Sequence, residues 1–124
     1  MIDFKNGSFV KLHKVSNDSI GENAKKLLLD GENVISVYQS IRDYVIFTDK
    51  RFISVNVQGL TGKKQDLTSM PYNKISVFSV ETAGTLDFDS ELELYFSGVG
   101  KVHFEFTGSA DILEIGKIIG NHLL

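Results

Sequence analysis

The chain contains no cysteine, which excludes a disulfide framework and any metal centre built on thiolates. It also lacks an apolar run near the roughly 18 residues a membrane-spanning helix requires. Its opening, "MIDFKNGSFVKLHKV", does not follow the charged-then-apolar pattern of a secretory signal, so a cytoplasmic protein is expected. A large excess of either sign of charge is also missing. A net charge of −3 is too mild to hold nucleic acid by bulk electrostatics, and no nucleic-acid partner is expected. What is present is 124 residues with 42 % hydrophobic content, enough for one packed core.

Charge is segregated along the chain. Between Arg42 and Lys74 there are six basic residues against three acidic ones, and between Glu81 and Glu114 eight acidic residues against a single lysine, Lys101. The two halves therefore carry opposite sign.

Residues 1–18 show no sustained hydrophobic period and are expected as an arm of irregular structure or a short helix, leaving 19–124 as the domain proper. Ser19-Ile-Gly-Glu22 fits a capping box that opens a helix of roughly ten residues, closed by Asp30-Gly31. From Val34 the period changes to two. In "VISVYQSI", Ile35, Val37 and Ile41 fall on one face and Ser36, Tyr38 and Ser40 on the other. "YVIFT" and "RFISVNV" continue a meander through tight turns at Arg42-Asp43 and Asp49-Lys50. "QGLTGKK" is the next turn, a fourth strand ends at Pro71, and a fifth runs from about Ile75 to Thr82. "LDFDSELELYF" places Leu86, Phe88, Leu92, Leu94 and Phe96 on one face and Asp87, Asp89, Glu91 and Glu93 on the other. "KVHFEF" repeats the alternation with Val102, Phe104 and Phe106 inward. The end of the chain is an amphipathic helix with a cap at Ser109, a polar stripe at Asp111, Glu114, Lys117 and Asn121, and an apolar stripe at Ile112, Ile115, Ile119 and Leu123. Seven antiparallel strands in a barrel or sandwich, with a short N-terminal helix and a C-terminal helix over the open end, is the expected fold.

Motifs of catalysis and cofactor binding do not match. Gly59 and Gly62 with Lys63 and Lys64 have neither the spacing nor the hydroxyl of a phosphate-binding loop. In the acidic stripe, Glu91 takes the third acidic place of a calcium loop and Leu92 stands where glycine is required. His13, His103 and His122 are far apart and no nucleophile elbow is present, so no catalytic residue, metal or cofactor is assigned.

The plan of seven strands and a capping helix, together with "IRDYVIFTDKRFISV", "QGLTGKK", "MPYNKISVFSVETAG" and "LDFDSELEL", resembles the small bacterial members of the pleckstrin homology (PH) domain family from about residue 20 to the end. The resemblance implies a PH-like fold and assembly into ring-shaped homo-oligomers. Inositol phosphate binding does not carry over, because the loop matching the family's basic cradle is Ser40-Ile41-Arg42-Asp43, short and holding one arginine beside an aspartate. Two sets of candidates follow. Lys50, Arg51, Lys63 and Lys64 are candidate contacts for an anion, a lipid headgroup or an acidic protein partner, with a membrane involved only if the protein is recruited there. Arg42, Tyr44, Asp87, Asp89, Glu91 and Glu93 are candidate contacts between copies. "RDYVIFT" is apolar on both faces and is either a doubly covered central strand or an interface.

Overall fold

The computed structural model describes residues 1–108 and 110–124. Eight strands form one sheet: β1 Ser8–Val15, β2 Val34–Gln39, β3 Tyr44–Thr48, β4 Arg51–Gln58, β5 Lys64–Pro71, β6 Ile75–Glu81, β7 Ser90–Phe96 and β8 Gly100–Phe106. The order across the sheet is β5-β4-β3-β2-β1-β8-β7-β6, with β5 and β6 at its edges. The helices are α1 Gly21–Leu27 and α2 Ile112–Leu123.

The strand that periodicity did not find is β1. It pairs antiparallel with β2 and parallel with β8, so it joins two antiparallel meanders into one sheet, and the expectation of seven strands, all antiparallel, is corrected. Its register shifts between Phe9 and Leu12, and Lys11 there adopts a left-handed φ of 56°. This bulge turns Phe9 and Leu12 to the same side, where both are buried, although three positions separate them. Alternation is erased at the point where it would have marked a strand.

The main core lies inside the curved sheet. Phe47, Phe52, Phe104 and Phe106 meet Leu12, Leu92 and Leu94 there, and Ile112, Ile115 and Ile119 of α2 close it. Asp111 caps α2, its Oδ1 accepting from the Glu114 amide at 3.1 Å; Ser109, the expected cap, lies outside the described residues. At Gly116 the helix comes so near β6 that a Cβ would stand 3.1 Å from Val80 Cγ1.

A second core occupies the outer face of β2, β3 and β4, where Ile20 and Ala24 cover Val37, Ile46, Ile53 and Val55. The capping box does not form. Ser19 sits within a 3-10 turn, Asn17–Ile20, whose cap is Ser16, and α1 starts after it without a side-chain cap. The two cores bury both faces of β2 at its centre. Val37 points under α1 and Tyr38 into the main core, Ser36 is buried, and Ile41 stands 95 % exposed in the turn. "RDYVIFT" is a doubly covered central strand, with Val45 and Phe47 facing the main core and Ile46 facing α1.

Leu86 and Phe88 were expected inward on the sixth predicted strand. That strand begins only at Ser90, as β7, and both side chains lie in the preceding loop, 94 % and 68 % exposed.

Candidate interaction site

The four basic candidates do not converge. Lys50 and Arg51 lie at the start of β4, Lys63 just before β5 and Lys64 at its first position, and the eight-residue β4 separates the pairs by roughly 25 Å. Lys50, Lys63 and Lys64 are exposed. Arg51 is committed inside the fold: Nε donates to Glu32 Oε2 at 3.0 Å, Nη2 to Glu32 Oε1 at 2.9 Å and to the Leu27 carbonyl at 3.0 Å, and Nη1 to Ser69 Oγ at 2.8 Å. Glu32 is buried, which by itself raises a carboxyl pKa. The bonds from Arg51, the Leu29 amide and Thr48 outweigh burial and bring it down to about 2. This network ties the segment after α1 to the β3–β4 hairpin.

Arg42 is also a structural clasp, donating from Nη1 to the Gly59 carbonyl at 2.8 Å and from Nη2 to the Val57 carbonyl at 2.6 Å. Its neighbour Asp43 accepts from the Val57 amide at 2.9 Å, so the β2–β3 and β4–β5 turns are held together at one end of the sheet. Three guanidinium N–H groups of Arg42 remain for a partner. Tyr44 is half-buried against the second core.

The acidic stripe divides in two. Glu91 and Glu93 are half-buried on β7 and have partners on β8: Glu91 Oε1 lies 3.0 Å from His103 Nε2, and Glu93 Oε2 lies 3.2 Å from Lys101 Nζ. Asp87 and Asp89 belong to the loop that carries Leu86 and Phe88, and among the described residues no cation pairs with either.

Two concave regions flank the first half of β1. One, of about 290 Å³, lies between the N-terminal segment and the polar end of β4 and is lined by Asn6, Ser8, Ser54, Asn56, Gln58 and Asp66. The other is a groove of about 360 Å³ between Phe9, Val10 and Lys11 on one side and Ile41, Arg42 and Val57 on the other. The groove was not legible in the sequence, because residues far apart in the chain form it. The same holds for His103, which reaches both Glu91 and, at 3.5 Å, Ser8 Oγ. No helix among the described residues is long and apolar enough to cross a membrane.

Comparison with known proteins places this fold among relatives. The chain is 41 % identical to the uncharacterized protein YjqA of Bacillus subtilis, over 94 % of both chains, and 29 % identical to the uncharacterized protein YozO of the same organism, over 90 % of this chain and 96 % of the other. Among solved structures it is similar to a DUF1696 family protein with a pleckstrin-homology domain from Shewanella loihica, with a TM-score of 0.80 and 38 % identity over 93 % of this chain and 99 % of that one. A pleckstrin homology domain from Shewanella amazonensis aligns with a TM-score of 0.64 and 39 % identity over 89 % and 92 % of the two chains. The family profile described as Bacterial PH domain matches residues 3–123, and so takes in β1 as well as the segments from residue 20 onward. The chain belongs to the bacterial PH domain family.

Proposed function

We propose that this domain is a non-enzymatic cytoplasmic scaffold whose copies join head to tail into a homo-oligomeric ring, on which a further protein partner is gathered. One observation carries this: the open sheet presents complementary surfaces at different places on one molecule. Lys63 and Lys64 are exposed beside edge strand β5. Edge strand β6 leads into a loop with two exposed apolar side chains, Leu86 and Phe88, and two carboxylates, Asp87 and Asp89, that have no ion-pair partner among the described residues. Surfaces that complement each other but do not coincide make heterologous contacts, and such contacts close into rings when the rotation permits. The test is the solution mass by light scattering behind a sizing column, at about 0.1 M and 0.5 M salt. A multiple of 13.8 kDa at both is expected; 13.8 kDa at both overturns the proposal.

A second reading, an anion-binding module, is favoured only by the adjacent exposed Lys63 and Lys64. Arg51 is spent on Glu32, and Lys50 stands at the far end of β4. Sedimentation with anionic vesicles, for the wild type and for Lys63→Glu with Lys64→Glu, tests it. Binding lost in the double variant would support this reading.

A further inference from the structure

We infer that the polar cavity between the N-terminal segment and β4 binds a small neutral polyol of monosaccharide size. Every group the site uses belongs to one chain, so the inference stands apart from how copies join.

Strand register builds the cavity. Phe52 faces the main core, so by alternation Ser54, Asn56 and Gln58 of β4 line the same inner face of the curved sheet, and Asp66 of β5 lies opposite Asn56. That face is apolar at Phe52, whose ring meets Tyr72 beside α2, and polar from Ser54 onward. The polar end borders about 290 Å³, room for roughly ten waters.

Ser54 is the residue that points to a ligand. It is 2 % exposed, lines the cavity, and its hydroxyl has no hydrogen-bond partner among the described residues. A buried hydroxyl without a bond is costly, and a ligand hydroxyl in the cavity supplies that bond. Two amide oxygens stand with it. Gln58 Nε2 donates to Asn56 Oδ1 at 3.0 Å, and Asn56 Nδ2 donates in turn to Asp43 Oδ1 at 3.3 Å, which fixes the Gln58 amide and leaves its Oε1 unbonded among the described residues. Asn6 Nδ2 donates to Asp3 Oδ2 at 3.3 Å, and its Oδ1 is likewise unbonded.

Charge decides the ligand class. Among the described residues no lysine or arginine lines the cavity, so no side chain there favours a phosphate or a carboxylate. The Met1 ammonium is committed to Asp66 Oδ2, and Asp66 Oδ1 accepts from Thr68 Oγ1 at 2.8 Å. Asp3 accepts from the Lys5 amide at 2.9 Å, from the Asn6 amide at 3.3 Å and from the Asn6 side chain. Both carboxylates thus have donors within the fold and call for no cation. What remains is neutral: one hydroxyl and two acceptors beside the ring of Phe9, which Phe104 holds at a centroid distance of 5.6 Å. The acceptors match the O–H groups of a sugar, and the aromatic ring matches its C–H face.

Saturation-transfer NMR on the full-length protein tests this, with D-glucose, D-galactose, D-mannose and D-ribose as ligands and with ethylammonium and methyl phosphate as the charged alternatives. At least one sugar is expected to give a saturable signal, and to bind more weakly by about fivefold or more to Ser54→Ala and to Gln58→Ala. Each variant is first shown by thermal unfolding to keep its fold; if Ser54→Ala does not, Gln58→Ala decides. Absence of signal from all four sugars overturns the inference. So does a folded variant that binds the sugar as the wild type does, which puts the binding elsewhere. Binding of ethylammonium or methyl phosphate that these variants abolish, with no sugar bound, overturns the neutral class.

Discussion

Arg51 and Glu32 form a two-point ion pair at the foot of the β3–β4 hairpin, with Nε 3.0 Å from Oε2 and Nη2 2.9 Å from Oε1, and the Glu32 side chain has no solvent exposure. Removing one member of such a pair strands a buried charge. Arg51→Ala is therefore expected to destabilise the fold by about 3–5 kcal/mol, read as a lower urea midpoint. Arg51→Lys keeps the charge but loses the fork and should recover only part of this. An Arg51→Ala midpoint within experimental error of wild type would remove the network from the account of stability.

The same pair sets an acid limit. Glu32 has its folded pKa lowered from 4.5 to about 2, so its contribution is fully present above pH 4.5 and is lost as pH falls toward 2. The shift corresponds to about 3 kcal/mol. Urea unfolding of wild type and Glu32→Gln between pH 2 and 6 should give stability curves that diverge as pH rises through this window. Parallel curves would contradict the assignment.

Tyr72 is buried against α2, its ring stacked on His122 at 4.8 Å and its hydroxyl donating to the Thr48 carbonyl at 2.8 Å. Burial raises its pKa, which keeps the phenol neutral. Tyr72→Phe leaves the packing and deletes one bond, so a loss of about 1 kcal/mol is expected, measured by thermal or urea unfolding.

Gly100 opens β8 with a φ of 126°, and a Cβ there would stand 2.8 Å from the Phe4 carbonyl oxygen. Gly100→Ala meets both a disfavoured backbone and a backbone obstacle. A cost of about 1–3 kcal/mol is expected, accompanied by faster amide exchange in residues 2–7 as the N-terminal segment is pushed off the β7–β8 turn. Unchanged stability would show that this turn relaxes freely.

Much of the fold was legible wherever one face of an element meets the core and the other meets water. The burial of Leu92, Leu94, Phe96, Val102, Phe104 and Phe106 and the apolar stripe of α2 follow from period alone. Legibility failed in three places for three reasons. The bulge at Lys11 put Phe9 and Leu12 on one side and hid β1. Coverage of β2 from both sides made Tyr38 and Val37 equally internal, so alternation could not tell inside from outside. Leu86 and Phe88 continue the pattern of β7 backward in sequence, but the strand ends at Ser90.

Among the candidate contacts, residue type alone suggested that five cations and four carboxylates were available. Only the tertiary structure shows that Arg51 is spent on Glu32, Glu91 on His103 and Glu93 on Lys101, and that Asp87 and Asp89 have no cation partner among the described residues. The sequence by itself determined the strand-rich architecture, the closing helix and the opposite charge of the two halves, because periodicity and charge order are local properties of a chain. Which charges are free, where a strand edge is left open and which apolar side chains face water were decided in three dimensions. These depend on which residues the folded sheet brings near one another, such as Lys11 and Arg42 around one groove, or Glu91 and His103 across β7 and β8.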